Sequence, residues 1–261
     1  MKTTRNSVKP FLDSAQPLAI AHRGFSLDGL ENSLTAFQAA LGLGYEYLET
    51  DINTTSDGVG VVFHDATLDR TTDLAGTIAQ LPHSVVRSAR IGGREPIATL
   101  EEFITALPNA RFNVDVKDAG SVEPLVAAIE TYGLHERVCI ASFSDKRRRQ
   151  VLARLSRPVA SSAGMKLLLT YYLLTPLLPR VLTRFIMREV DVLQIPRTYR
   201  GLNLASRAKV RRAHRMGLKV HVWTIDDPAQ MHELFELGVD GIMTDRADLL
   251  AEVMRQRGYW R

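Results

Sequence analysis

The chain has 261 residues, 45% of them hydrophobic and 24% charged, enough to bury a sizeable core in one or two domains. Lysine and arginine outnumber aspartate and glutamate by only 33 to 29, an excess too small to argue for nucleic-acid binding but suited to an anionic substrate or membrane surface. Cys139 is the single cysteine, so no internal disulfide can form and the cytosol is the expected compartment.

Residues 1–17 contain basic side chains but no apolar stretch, so they do not read as a secretory leader. The first apolar run, LAIAHR (18–23), reads as a strand ending on His22 and Arg23. NSLTAFQAALGLG follows as a helix capped by Asn32 or Ser33, with Leu34, Phe37, Ala40 and Leu41 on one face and Gly42 and Gly44 at its end. YLETDI (47–52) is the next strand. VGVVFHD (59–65) follows it too closely for a parallel crossover, so a turn at Asp57-Gly58 makes an antiparallel hairpin that carries His64 back beside His22.

Residues 66–98, with Pro82, Pro96 and Gly92-Gly93, read as a small insertion beside the barrel mouth. TLEEFITALP opens a helix with a capping box of Thr99 and Glu102. Strands are then expected at 112–117, 138–143, 158–163, 192–196, 220–225 and 241–245, alternating with helices. Eight strand-helix units predict a closed (β/α)8 TIM barrel with the hairpin excursion and the insertion added. The absence of repeats, low-complexity tracts and Ser/Gly linkers leads us to expect a single domain over 1–261.

In such a barrel, side chains at the C-terminal strand ends converge. Those ends hold His22, Arg23, Glu49, Asp51, Asp115, Lys117, Trp223 and Asp226. Glu49 and Asp51 are two apart on a strand, as are Asp115 and Lys117, so each pair points to one side. Three converging carboxylates suit a hard cation such as Mg²⁺ or Ca²⁺; the alternative is ion pairing with Arg23 and Lys117. His22 and His64 are the candidate acid and base, because imidazole titrates near neutrality. Arg23 and Lys117 suit a phosphoryl group.

HRG (22–24), EN (31–32), ETD (49–51), SDG (56–58), VVFHD (61–65), LDRTT (68–72), VDVK (114–117), VWTID (222–226) and GIMTD (241–245) together resemble the glycerophosphodiester phosphodiesterase family. The resemblance runs in order from residue 18 to about residue 250, and the ordered set is specific where each motif alone is weak. It implies that Glu49, Asp51 and Asp115 hold a divalent cation, that His22 and His64 are the acid-base pair, and that Arg23 and Lys117 bind phosphate. Glu31 matches an acidic residue near metal and glycerol, and Trp223 an aromatic that packs on the glycerol backbone. Two positions depart from the family pattern: Asp115 stands where Glu is usual, and Asp226 where Asn is common.

The implied activity is metal-dependent hydrolysis of a glycerophosphodiester to sn-glycerol 3-phosphate and an alcohol. The alternatives are lysophospholipase D-type or other phospholipase activity, and a non-catalytic lipid- or phosphate-binding barrel. No apolar run reaches the roughly 18 to 20 residues of a membrane span. The longest, 167–178, is broken by Pro176 and followed by Arg180 and Arg184. Residues 164–188 resemble an interfacial amphipathic element suited to peripheral contact with the inner membrane surface, with a helix pair over the barrel top or a dimer contact as the alternative. Lysophospholipids join soluble glycerophosphodiesters as candidate substrates. The basic helix around Arg207, Lys209, Arg211, Arg212 and Arg215 reads as a solvated face that joins a membrane contact only if it shares that side. No nucleic-acid partner is expected, because basic residues are not interleaved with aromatics.

Overall fold

The computed structural model describes residues 8–260. Eight parallel strands follow one another around a ring: β1 (Leu18–His22), β2 (Tyr47–Thr54), β4 (Arg111–Val116), β5 (Val138–Ala141), β6 (Ala160–Ser161), β7 (Val192–Pro196), β8 (Lys219–Trp223) and β9 (Gly241–Thr244). A parallel bridge between Ser162 and Val192 completes the ring between β6 and β7. The expected (β/α)8 barrel is therefore present, with β5 and β6 shorter than the expected 138–143 and 158–163. β3 (Gly60–Val62) pairs antiparallel with β2, Thr54 opposite Gly60, as the Asp57-Gly58 turn requires.

Helices α1 (Leu34–Gly42), α2 (Leu100–Ala106), α3 (Val122–Thr131), α4 (Asp145–Leu152), α5 (Met165–Leu173), α6 (Arg180–Ile186), α7 (Arg207–Arg215), α8 (Pro228–Leu237) and α9 (Ala247–Gln256) surround the ring. Of the two candidate caps of α1, Ser33 performs the role, its hydroxyl accepting from the Ala36 amide. Thr99 and Glu102 form the expected capping box.

Strand alternation sorts the core into two layers. Ala19, Leu48, Val114 and Ile140 face the helices in the main apolar cluster. Leu18, Ile20, Tyr47, Cys139, Val192 and Met243 face inward, and Phe11 plugs the bottom with its ring edge-on to Tyr47 at 5.2 Å. Toward the top, the inward column becomes polar, and this change positions the site.

Residues 66–98 pack around their own small cluster of Leu68, Ile78, Val86, Ile91 and Ile97, against Phe63 and Leu30. Residues 164–188 break into α5, a 3₁₀ turn at Thr175–Leu177 and α6. Among the described residues no helix is long and apolar enough to cross a membrane. The residues 1–7 portion of the N-terminal stretch considered for a leader lies outside the described residues.

Candidate active site

His22, the last residue of β1, turns its Nδ1 to Asp245 Oδ1 at 2.7 Å, just past β9, and its Nε2 lies 3.8 Å from Glu49 Oε2. Burial alone would lower its pKa, but the Glu49 charge and the Asp245 hydrogen bond outweigh it and hold the imidazole above its ordinary value. The chain then reverses through Arg23 and Gly24, both at positive φ, of 57° and 86°. Glycine is required at 24, because a Cβ there would stand 2.7 Å from the Ala36 carbonyl carbon of α1.

β2 contributes Glu49 and Asp51, both buried. Burial and the Asp51 charge push Glu49 upward, against the pull of His22, Arg23 and Lys117. Burial acts on Asp51 in the same sense, but Lys117 and Arg23 override it and hold its carboxyl below the usual range. Lys117 Nζ stands between Asp51 Oδ1 at 2.8 Å and Asp115 Oδ2 at 2.7 Å, and Arg23 Nε reaches Asp51 Oδ2 at 3.3 Å. Asn32, also at positive φ, donates to Asp51 Oδ2 at 3.0 Å and accepts from Thr50.

The three carboxylates thus lie together, but Lys117 is inserted between two of them. Among the described residues no three acidic or histidine side chains form a ready ligand set. The donors nevertheless fit a hard cation. Asp115 Oδ1 is buried without a hydrogen-bond partner, and Glu49 is raised by burial and by the neighbouring Asp51 charge, two signs of oxygens short of positive charge.

His64 arrives on the hairpin, and its loop is fixed by a residue that sequence reading passed over. Asn53 Nδ2 donates to the carbonyls of Phe63, His64 and Asp65 at 2.9, 3.3 and 3.0 Å, replacing the ladder where β3 peels away. Asp65 Oδ1 meets His64 Nδ1 at 2.5 Å. Arg70, carried in by the insertion, clamps Asp65 at 2.6 Å and Glu31 at 2.6 and 3.0 Å, and Arg23 also holds Glu31 at 3.0 Å. Arg70 holds the Asp65 carboxyl down at about 2. Burial opposes the lowering of Glu31, and the two guanidiniums prevail.

Arg70, Asp65 and Asp245 were visible only as letters of LDRTT, VVFHD and GIMTD, since nothing in their spacing predicts a common partner. Asp226 accepts through Oδ1 from the Thr244 hydroxyl and the Asp245 and Arg246 amides, so it shapes the loop presenting Asp245. All three contacts need only an acceptor oxygen, which accounts for Asp in a place where an amide serves.

His22, Arg23, Glu49, Asp51, His64, Asp115, Lys117 and Trp223 all line one cavity of about 300 Å³; Glu31 stands outside it, behind Arg23. Asn113 and Gln194, hydrogen-bonded at 2.7 Å, complete its polar floor. One wall is apolar: Leu168, Leu169, Tyr172 and Leu173 of α5, with Leu202 and Leu204. Two histidines, each held at Nδ1 by a carboxylate, thus share a basin with two cations and three further acids, an arrangement suited to proton transfer around a bound phosphodiester.

The sequence model of the glycerophosphoryl diester phosphodiesterase family matches residues 22–249. Over 251 residues, 96% of this chain and 95% of the relative, the chain is 45% identical to the "Probable glycerophosphodiester phosphodiesterase 2" of Mycobacterium tuberculosis. It is 26% identical to human "Lysophospholipase D GDPD1", over 87% of this chain and 82% of that one. An Oleispira antarctica phosphodiesterase, solved in complex with the product sn-glycerol-3-phosphate, shares the fold at TM-score 0.74 and 23% identity, over 94% of this chain and 99% of that one. The chain therefore belongs to the glycerophosphoryl diester phosphodiesterase family and is a phosphoric diester hydrolase.

Proposed function

We propose that the chain hydrolyses glycerophosphodiesters to sn-glycerol 3-phosphate and an alcohol, with His22 and His64 as acid-base pair and Arg23 and Lys117 on the phosphate. The observation that carries this is the pairing of each imidazole Nδ1 with a carboxylate, Asp245 at 2.7 Å and Asp65 at 2.5 Å, on one cavity. A carboxylate at Nδ1 keeps the proton there and leaves Nε2 of each ring to take or give one. One Nε2 removes the proton of the attacking oxygen while the other protonates the departing alcohol. Arg23 and Lys117 hold the phosphoryl oxygens, and Trp223 flanks the glycerol carbons. Glu31 orients Arg23. If the glycerol 2-hydroxyl attacks, the alcohol leaves as a cyclic phosphate forms and water then opens the ring to sn-glycerol 3-phosphate; if water attacks directly, no cyclic species forms, so trapping a cyclic phosphate identifies the first route.

Glu49, Asp51 and Asp115 are the residues that would hold Mg²⁺ or Ca²⁺, whose chemistry when bound is Lewis-acid neutralisation at a phosphate oxygen. Loss of activity in EDTA with recovery on adding either ion supports that assignment, and full activity in EDTA removes it. His22→Ala and His64→Ala are each expected to lower kcat by about 10²- to 10⁴-fold with unfolding midpoints near wild type. Near wild-type turnover in either variant overturns the acid-base assignment.

The apolar wall favours a second substrate class, glycerophosphodiesters carrying one acyl chain, because Leu168, Leu169, Tyr172 and Leu173 continue the cavity away from the polar floor. Glycerophosphocholine and a lysophospholipid assayed side by side distinguish the two. A cytoplasmic location accords with the one cysteine, Cys139, being buried and free of any disulfide. Contact of residues 164–188 with the inner membrane surface would bring a single-chain lipid to the cavity.

A further inference from the structure

The face of the α5–α6 excursion turned away from the barrel carries apolar side chains that none of the described residues covers. Leu173, Leu177, Val181 and Phe185 are 66%, 83%, 81% and 62% exposed. Four large apolar side chains this exposed along one excursion of a folded chain mark an interaction surface.

The surroundings of the patch decide its partner. Residues 164–188 contain four lysines and arginines and no acid, and residues 197–215 contain seven and no acid. The structure brings these separate stretches together. Arg180 and Arg184 both donate to the Arg215 carbonyl, at 2.8 and 3.4 Å, so α6 lies against the C-terminal end of α7. Arg212 sits over the Tyr171 ring at 5.0 Å and donates to the Thr175 hydroxyl, and Lys209 sits over Tyr172 at 5.6 Å. Arg207, Arg211 and Arg215 are left exposed along α7. The basic helix therefore shares the side of the apolar patch, the condition for its joining a membrane contact.

A second copy of the chain docking face to face would press these cationic fringes together, a like-charge juxtaposition that opposes association. An anionic bilayer meets both features, with acyl boundary for the leucines and headgroup phosphates for the arginines. The same α5 that carries Leu173 of the patch lines the cavity with Leu168, Tyr172 and Leu173 itself, so the cavity mouth adjoins the patch.

We infer that the exposed apolar face of residues 173–185 and the basic face of α7 form one docking surface for an anionic lipid bilayer, seating the cavity mouth at the interface. Binding is read without turnover, so its outcome and that of the catalytic assignment are separate. The probes are vesicles of pure phosphatidylcholine and of equal phosphatidylcholine and phosphatidylglycerol, in co-sedimentation at low salt and at about 0.5 M salt. Wild type is expected to pellet with the anionic vesicles at low salt, and about tenfold or more weaker with neutral vesicles or at high salt.

Leu177→Glu with Val181→Glu, and separately Arg211→Glu with Arg215→Glu, are each expected to lower anionic-vesicle binding about tenfold or more. Hydrolysis of soluble glycerophosphocholine and the unfolding midpoint should stay unchanged in both. Failure of wild type to pellet, equal binding to neutral vesicles, or undiminished binding of either double variant overturns the inference. So does a dimer in sedimentation velocity that Leu177→Glu with Val181→Glu dissociates while vesicles are ignored, since a second copy would then be the occupant.

Discussion

Arg70 is the residue on which the two halves of the site depend. Its guanidinium holds Asp65 at 2.6 Å, and Asp65 holds His64 at 2.5 Å; its other edge holds Glu31, which Arg23 also grips. The side chain is 49% exposed, so its ion pairs are partly screened and contribute little to stability. Its effect is expected in orientation: Arg70→Ala should lower kcat/KM about tenfold, through kcat more than KM, with an unfolding midpoint near wild type. Steady-state kinetics beside urea denaturation checks this. An unchanged kcat would show that Asp65 and His64 hold each other without help. Signals for Arg70 in the sequence were thin, because an arginine in a long connection reads as solvated until the fold brings Glu31, 39 residues earlier, against it.

The elements that present the site are coupled by close backbone approach. HRG ends β1 in a reversal beneath α1, and Gly24 combines a φ of 86° with a Cβ position 2.7 Å from the Ala36 carbonyl carbon. Gly24→Ala should therefore cost about 2 kcal/mol from left-handed strain and displacement of α1, and should reduce activity by moving His22 and Arg23. Urea midpoint and kcat, measured together, test both parts; a variant of wild-type stability would show that α1 yields freely. Local chemistry made several elements legible beforehand. Thr99 and Glu102 announced α2, and Asp57-Gly58 announced the hairpin, because caps and tight turns are set by residues within a few positions of each other. Asn53 was not legible, since its three carbonyl partners exist only once β3 has left the ladder.

At the scale of the whole molecule, barrel closure buries a titratable group remote from the catalytic end. His221 lies inside β8 with no exposure, packed against Gly241, and neither ring nitrogen has a hydrogen-bond partner. Burial drives its pKa down to about 4. The unfolded chain binds this proton below about pH 6.5, whereas the folded chain resists it until about pH 4. Stability from this group is thus complete above pH 6.5 and falls as pH drops toward 4, by on the order of 3 kcal/mol. Acidification from pH 7 to pH 4 should lower the urea midpoint of wild type more than that of His221→Leu, because only wild type has an imidazole that the unfolded chain protonates first. Parallel curves would place the acid sensitivity elsewhere.

By itself, the sequence determined the alternation of strands with helices, the hairpin, and the polar letters at the strand tops. These follow from hydrophobic period, caps and turns, which are local, and the ordered motifs from HRG to GIMTD carried the family. Only the tertiary structure decided that Asp245 and Asp65 hold the two imidazoles, that Lys117 stands between Asp51 and Asp115, and that α6 lies against the C-terminal end of α7. Each of these depends on distances between segments far apart in the chain. Ring closure sets those distances, and no local spacing encodes them.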